Sequence, residues 1–246
     1  MKHVSPHGAR NRAILFTFVL AAAYAVGFFV APVHGQGGDA GGMQAKMMEL
    51  KESMAKNKAA LATYTWNETV TISLKGEVKK VQHYQVREGS DGKPQKTSLD
   101  PAAAPAQPQG GRLKQHVVAK KKEEYEDYAE KMKALAQQYV PPDKDLIQAA
   151  YAKGNVSFAP GPVDTKITIT NYVKPGDSVV MMFSKANKQI TSIAIKSYMD
   201  DPSDGMNLNV TFSSLPDGTS HVATTSIDGV SKQLMVATQN GAYQKL

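Results

Sequence analysis

The sequence predicts an α+β fold, a curved antiparallel β-sheet in the form of a half-barrel, covered by an N-terminal helix and an inserted helical pair. Three observations predict it. Apolar residues recur at helical spacing between Met43 and Ala62 and again from about Val118 to Lys153. Most of the remaining chain alternates apolar and polar residues with the period of two that marks a half-buried strand. After Pro160 the strands are separated by turn residues such as Pro175-Gly-Asp, Asp217-Gly and Asp228-Gly, with no helix between them, which leaves consecutive antiparallel pairing as the topology. A wide twisted sheet with one apolar face curls and needs a cover, and the helices are available to supply it.

Residues 1–35 read as an export signal. Arg10 and Arg12 precede an apolar run from Ala13 to Ala31, and Val33 and Gly35 are the small residues that cleavage after Gly35 requires. Retention of residues 13–31 as a membrane anchor is the competing reading, since about 20 apolar residues span a bilayer. Removal takes away Lys2, Arg10 and Arg12 and no acidic residue, so the net charge falls from +7 to +4. That excess is small, and Arg87 and Arg112 are the arginines left for bidentate phosphate or base contacts, so nucleic acid is not an expected partner. The reading is of an exported protein, periplasmic or extracellular. The chain has no cysteine, which excludes disulfides, thiolate metal sites, cysteine nucleophiles and a lipidated N-terminal cysteine.

Residues 36–42 are Gly-rich and read as a disordered N-terminus, and residues 43–246 as one α+β domain. Met43, Met47, Leu50, Met54 and Leu61 form one stripe of an amphipathic helix. Packing against apolar surroundings is the reading preferred over a soft-metal site, because Met adapts to irregular apolar space. In Tyr64 to Leu74, Tyr64, Trp66, Val70, Ile72 and Leu74 share one face and Thr65, Asn67, Thr69, Thr71 and Ser73 the other, a long half-buried strand. Gly76 turns it into a second strand, Val78 to Arg87, and Ser90-Asp-Gly-Lys-Pro turns the chain again. Residues 101–111 are a low-complexity Pro/Ala/Gln/Gly loop. The helical insertion spans 118–153, with Tyr125, Tyr128, Met132, Leu135 and Tyr139 on one face, a stop at Pro141-Pro142, Asp143 as N-cap of a second helix, and Gly154 after its end. At most seven strands follow: Lys166–Val173, Ser178–Ser184, Gln189–Met199, Met206–Ser214, Ser220–Ile227, Val230–Ala237, and a last short segment after an Asn240-Gly turn.

No catalytic residue, metal site or cofactor is expected. His83, His116 and His221 lie in no recognised catalytic or metal-ligand spacing, and the signatures of zinc peptidases, serine hydrolases and phosphate loops are absent. Asp200-Asp-Pro-Ser-Asp-Gly lacks the alternating ligands of a calcium loop and reads as a polar turn. Glu123-Glu-Tyr-Glu-Asp after Lys120-Lys-Lys reads as a solvated helix face with local ion pairs. Nucleotide binding is likewise not expected.

The order of export signal, amphipathic helix, strands bearing Tyr64 and Trp66, inserted helices and a meander closing on Gly241-Ala-Tyr-Gln-Lys-Leu resembles the periplasmic lipoprotein-carrier (LolA/LolB-like) superfamily over most of residues 43–246. The resemblance implies an unclosed barrel with a helical lid and an apolar cavity for acyl chains. Neither Arg87 nor Arg112 matches a motif that would place that family's lid-locking arginine, so no functional residue is carried over. Trp66-Asn-Glu-Thr and Tyr139-Val-Pro-Pro-Asp equally fit an exported bacterial family of its own.

The functional expectation is a non-enzymatic carrier or sensor holding a lipid, an acyl chain or a lipidated protein's acyl group. Its cavity would be lined by Trp66, Val70, Ile72, Ile167, Ile169, Met181, Phe183, Leu208, Val210 and Phe212, for each of which dry core packing is the alternative. A second expectation, of a different class, is an envelope protein-protein interaction module that docks through the 101–111 loop and the charged helix after it.

Overall fold

The computed structural model of the chain describes residues 55–89, 93–101 and 111–246. The expected export signal, the Gly-rich 36–42 segment, the methionine stripe up to Met54 and the interior of the low-complexity loop lie outside the described residues.

Ten strands form one antiparallel sheet: β1 (Tyr64–Leu74), β2 (Glu77–Glu88), β3 (Pro94–Ser98), β4 (Val156–Pro160), β5 (Asp164–Thr170), β6 (Ser178–Ser184), β7 (Gln189–Tyr198), β8 (Gly205–Ser214), β9 (Ser220–Gly229) and β10 (Leu234–Lys245). Their order is β3-β2-β1-β10-β9-β8-β7-β6-β5-β4. Every neighbour pair is antiparallel, and consecutive strands pair except where β10 returns to β1 and joins the N-terminal hairpin to the C-terminal meander. β3 and β4 are edges that do not pair with each other, so the sheet is open.

Local chemistry explains the turns. Lys75 and Gly76 both have positive φ, as a two-residue primed hairpin turn requires, and they join Leu74 to its partner Glu77. Across β10, Asn240-Gly is not a turn. The strand runs on to Lys245, absorbing Ala242 at positive φ and a register shift opposite Thr65 and Asn67. Pairing with β1 decides this, because the last residues gain a ladder partner that a local Asn-Gly preference does not offer. Similarly, the chain turns after Gly229 rather than at Asp228-Gly, with Gln233 at positive φ. β3 and β4, two edge strands of five residues, are held by pairing to β2 and β5, and β3 has no apolar alternation of its own.

Three helices accompany the sheet among the described residues: α1 (residues 55–61), α2 (Arg112–Ala136) and α3 (Lys144–Ala152). α2 starts at Arg112, six residues before the apolar period becomes visible, with extended Gly111 as its N-cap. Its residues 115–124 are exposed, and burial begins with Tyr128, Ala129, Met132, Leu135 and Ala136, continuing through Tyr139 and Val140. Asp143 caps α3 as expected, its carboxylate accepting from the Asp145 and Leu146 backbone N–H groups. Gly154 follows at φ +72°.

Two contacts fix α2 to one end of the strands. A Cβ on Gly229 would stand 2.5 Å from Tyr128 Cε1 and 2.7 Å from Met132 Sδ, so only glycine lets the helix approach β9 this closely. Tyr139 Oη donates to Asp177 Oδ2 at 2.6 Å and lies 2.7 Å from Ser197 Oγ, all three residues being buried. Asp177 also accepts from the backbone N–H groups of Tyr172, Val173 and Lys174, which satisfies a carboxylate only 2% exposed. α1 meets the opposite end, where the Asn57 amide exchanges hydrogen bonds of 2.9 and 2.6 Å with the backbone of Ser220. Ser220 and Gly229 bound β9, so the two helical contacts stand roughly 30 Å apart along the strand.

Candidate functional site

The register assigns side chains to rows running across the strands. One inward row is Ile167, Met181, Ile193, Val210, Thr225, Thr238, Val70 and Gln82, each the Cα partner of the next from β5 to β2. The next, toward α2, is Ile169, Val179, Ile195, Leu208, Ile227, Val236 and Ile72. On the other side of the first row, Asn240, Glu68 and Tyr84 are successive partners on β10, β1 and β2. On the outer face, Thr211 and Thr224 share a 2.6 Å hydrogen bond across β8 and β9.

Of the ten residues expected to line a cavity, Val70, Ile169, Met181, Leu208 and Val210 lie in these two rows at 0–1% exposure. Ile72 and Ile167 occupy the same rows and, with Trp66 and Phe212, are partly buried against that core. Phe183 is half-buried beyond the register shift that separates it from Met182 on β6. The register therefore brings seven of them onto two adjacent rows, with Trp66 and Phe212 toward the α1 end.

Sequence reasoning missed the polar end of this face. Glu68 occupies the alternation position between Trp66 and Val70 and is buried, its carboxylate bonded to the Lys96 ammonium. Both side chains are under 10% exposed. The Lys96 ammonium also lies 5.7 Å from the centre of the Tyr84 ring. Tyr84 accepts a 2.7 Å hydrogen bond from Gln82 Nε2, and burial, reinforced by Glu68, pushes its phenol pKa up. Trp66 stacks on Tyr243 with ring centres 5.5 Å apart, and Tyr243 meets His221 at 4.2 Å. The Val222 carbonyl, where β9 leaves β10, accepts from His221 Nδ1 at 3.1 Å and from Asn240 Nδ2 at 3.0 Å. The first of these bonds puts the imidazole proton on Nδ1, and burial lowers the His221 pKa. Burial likewise raises the pKa of Tyr243.

Three buried polar atoms in this zone have no hydrogen-bond partner among the described residues: Trp66 Nε1, Gln82 Oε1 and Asn240 Oδ1. The visible signal for the zone was Glu68, an acid at an inward position of an otherwise apolar alternation. Lys96 on a polar edge strand offered none.

His83 pairs with Asp100 at 2.8 Å on the surface, away from the inward face. Asp200 binds Lys131 at 2.8 Å, and Asp201 accepts from Ser203 at 2.6 Å, within the polar turn expected there. Lys122 and Glu126 form a helical i,i+4 pair. Among the described residues no three His, Cys, Asp or Glu side chains are grouped to hold a metal ion, and no described helix is long and apolar enough to cross a membrane.

No family model matches the chain, and no curated protein does. Two solved structures are similar. One is a DUF1329 family protein from Desulfovibrio piger, 10% identical, with a TM-score of 0.36, covering 79% of this chain and 92% of its own. The other is a LolA superfamily protein from Nitrosomonas europaea, 8% identical, with a TM-score of 0.35, covering 79% of this chain and 93% of its own. At these identities and TM-scores the likeness is weak, and the chemistry of the site rests on the residues above.

Proposed function

We propose that this protein is an exported, non-enzymatic carrier or sensor that shelters the apolar part of a lipid or acyl chain against the inward face of its open sheet. The observation that carries the reading is the pair of adjacent rows that contain only apolar side chains from β5 to β8, on a sheet gripped by helices at its two ends. Apolar surface of this breadth with two open edges suits a chain-shaped ligand, and the adaptable side chain of Met181 sits in its middle. The helices then act as the cover of the half-barrel, α2 locked at Gly229 and Asp177 and α1 at Ser220.

The purified protein should enhance the fluorescence of N-phenylnaphthylamine, and Val210→Phe should weaken that binding while leaving the melting temperature close to that of the parent chain. A dry core gives the opposite pattern: no probe binding, and a loss of about 1–3 kcal/mol from overpacking at position 210.

A second reading is favoured by one feature, the exposed stretch 115–124 of α2, where Val117 and Val118 are 49% and 58% exposed ahead of Lys120 to Lys122. On that reading the helix docks an envelope protein. Val118→Glu should then abolish partner capture from envelope extracts without affecting probe binding.

A further inference from the structure

Polar and apolar side chains are segregated along the inward face. In the row from Ile167 to Gln82, β5 to β8 contribute Ile167, Met181, Ile193 and Val210, whereas β9, β10 and β2 contribute Thr225, Thr238 and Gln82, with Val70 of β1 the one apolar member among them. Beside it, Asn240, Glu68 and Tyr84 continue the polar zone over β10, β1 and β2. A molecule lying across the strands therefore meets apolar surface at one end and amide, hydroxyl and indole groups at the other.

Buried polar atoms are normally satisfied, and an unpaired one costs free energy comparable to a lost hydrogen bond. Trp66 Nε1, Gln82 Oε1 and Asn240 Oδ1 break that rule together, on three neighbouring strands and around one buried ion pair. Each amide nitrogen makes one hydrogen bond, Gln82 Nε2 to Tyr84 and Asn240 Nδ2 to Val222, and keeps a second N–H. What is left without any bond among the described residues is the indole N–H and two carbonyl-type acceptors. Glu68 and Lys96 neutralise each other, so the zone offers no net charge to an ionic headgroup.

We propose that β10, β1 and β2 form a headgroup subsite for an uncharged amphiphile that carries both hydroxyl donors and a carbonyl acceptor, of the monoacylglycerol class. This rests on the carrier reading above. Its hydroxyls donate to Gln82 Oε1 and Asn240 Oδ1, its ester carbonyl accepts from Trp66 Nε1, and its acyl chain runs over β8 to β5. A fatty-acid carboxylate lacks the donors and would bring an unpaired charge next to Glu68. A methyl ester lacks the donors as well.

The test uses the full chain, expressed with its leader and purified as the host processes it, loaded with N-phenylnaphthylamine and titrated with monooleoylglycerol, oleate or methyl oleate. Monooleoylglycerol should displace the probe at concentrations at least tenfold below those of the other two. Trp66→Phe, which keeps an aromatic ring against Tyr243 but removes the N–H, and Gln82→Leu should each cut that preference severalfold, with displacement referred to each variant's own probe affinity. Should either variant fail to fold by circular dichroism, the other decides. Equal displacement by all three lipids, or an undiminished preference in the folded variants, overturns the headgroup subsite and leaves the carrier reading standing, the three atoms then being satisfied by water only. If the probe and all three lipids fail to bind, both fall.

Discussion

Burial beside Tyr243 holds the His221 imidazole below its ordinary pKa, so the unfolded chain binds this proton more readily than the folded one. The stability this residue contributes is present above the unfolded value of about 6.5 and is lost as the pH falls through the folded value. The denaturation midpoint should therefore drop between pH 7.5 and pH 5.5, and His221→Phe should flatten the drop. Asp217, held at about 2 mainly by the Tyr64 hydroxyl, contributes only in a more acidic window and does not confound that comparison. The Glu68–Lys96 pair allows a second residue-scale prediction. Lys96→Met leaves a buried carboxylate without its cation and should cost about 3–5 kcal/mol in urea denaturation, most of which the double change Glu68→Leu with Lys96→Met restores. Recovery shows that the pair is dispensable for folding, as befits groups retained for a ligand. Glu68 could have been read as inward from alternation alone. Gln82 and Asn240 could not, since one sits in a strand of diluted alternation and the other in an apparent Asn-Gly turn.

At the scale of elements, the lock between α2 and the sheet depends on shape at Gly229 and on polarity at Asp177. Gly229→Ala must push Tyr128 and Met132 away and should cost about 1–3 kcal/mol, read as a fall in thermal midpoint. Tyr139→Phe removes the donor to a buried carboxylate that keeps three backbone partners, and should cost about 1–2 kcal/mol. Burial first, and then Asp177, raise the Tyr139 pKa, so the hydroxyl stays protonated and this lock does not titrate in the physiological range. Legibility followed hydrophobic period closely. β1 and β6 fall on their expected residues, and the buried face of α2 is the expected one, because in each the side-chain pattern is itself what tertiary packing uses. β3 and the end of β10 are strands by virtue of a neighbour's open ladder, a cause with no trace in their own sequence. The first residues of α2 are helical without an apolar stripe, since residues 115–124 pack on nothing described and rest on propensity alone.

For the whole molecule, the consequence of an open sheet gripped by helices at both ends is a broad apolar face whose central side chains are buried in one core with those of α2. The order of elements was enough to anticipate an antiparallel half-barrel with inserted helices, because turn chemistry restricts a run of short strands to a meander. Row composition, and with it the polar zone over β10, β1 and β2, required the register and so emerged only with the structure. The central claim, that this face shelters a lipid chain, is tested most directly by mass spectrometry of organic extracts from the protein purified from the host envelope without detergent, beside a control protein of similar size. The account predicts one lipid class, in equimolar amount with the protein, absent from the control. A lipid-free extract from folded protein, with the same background as the control, would contradict it.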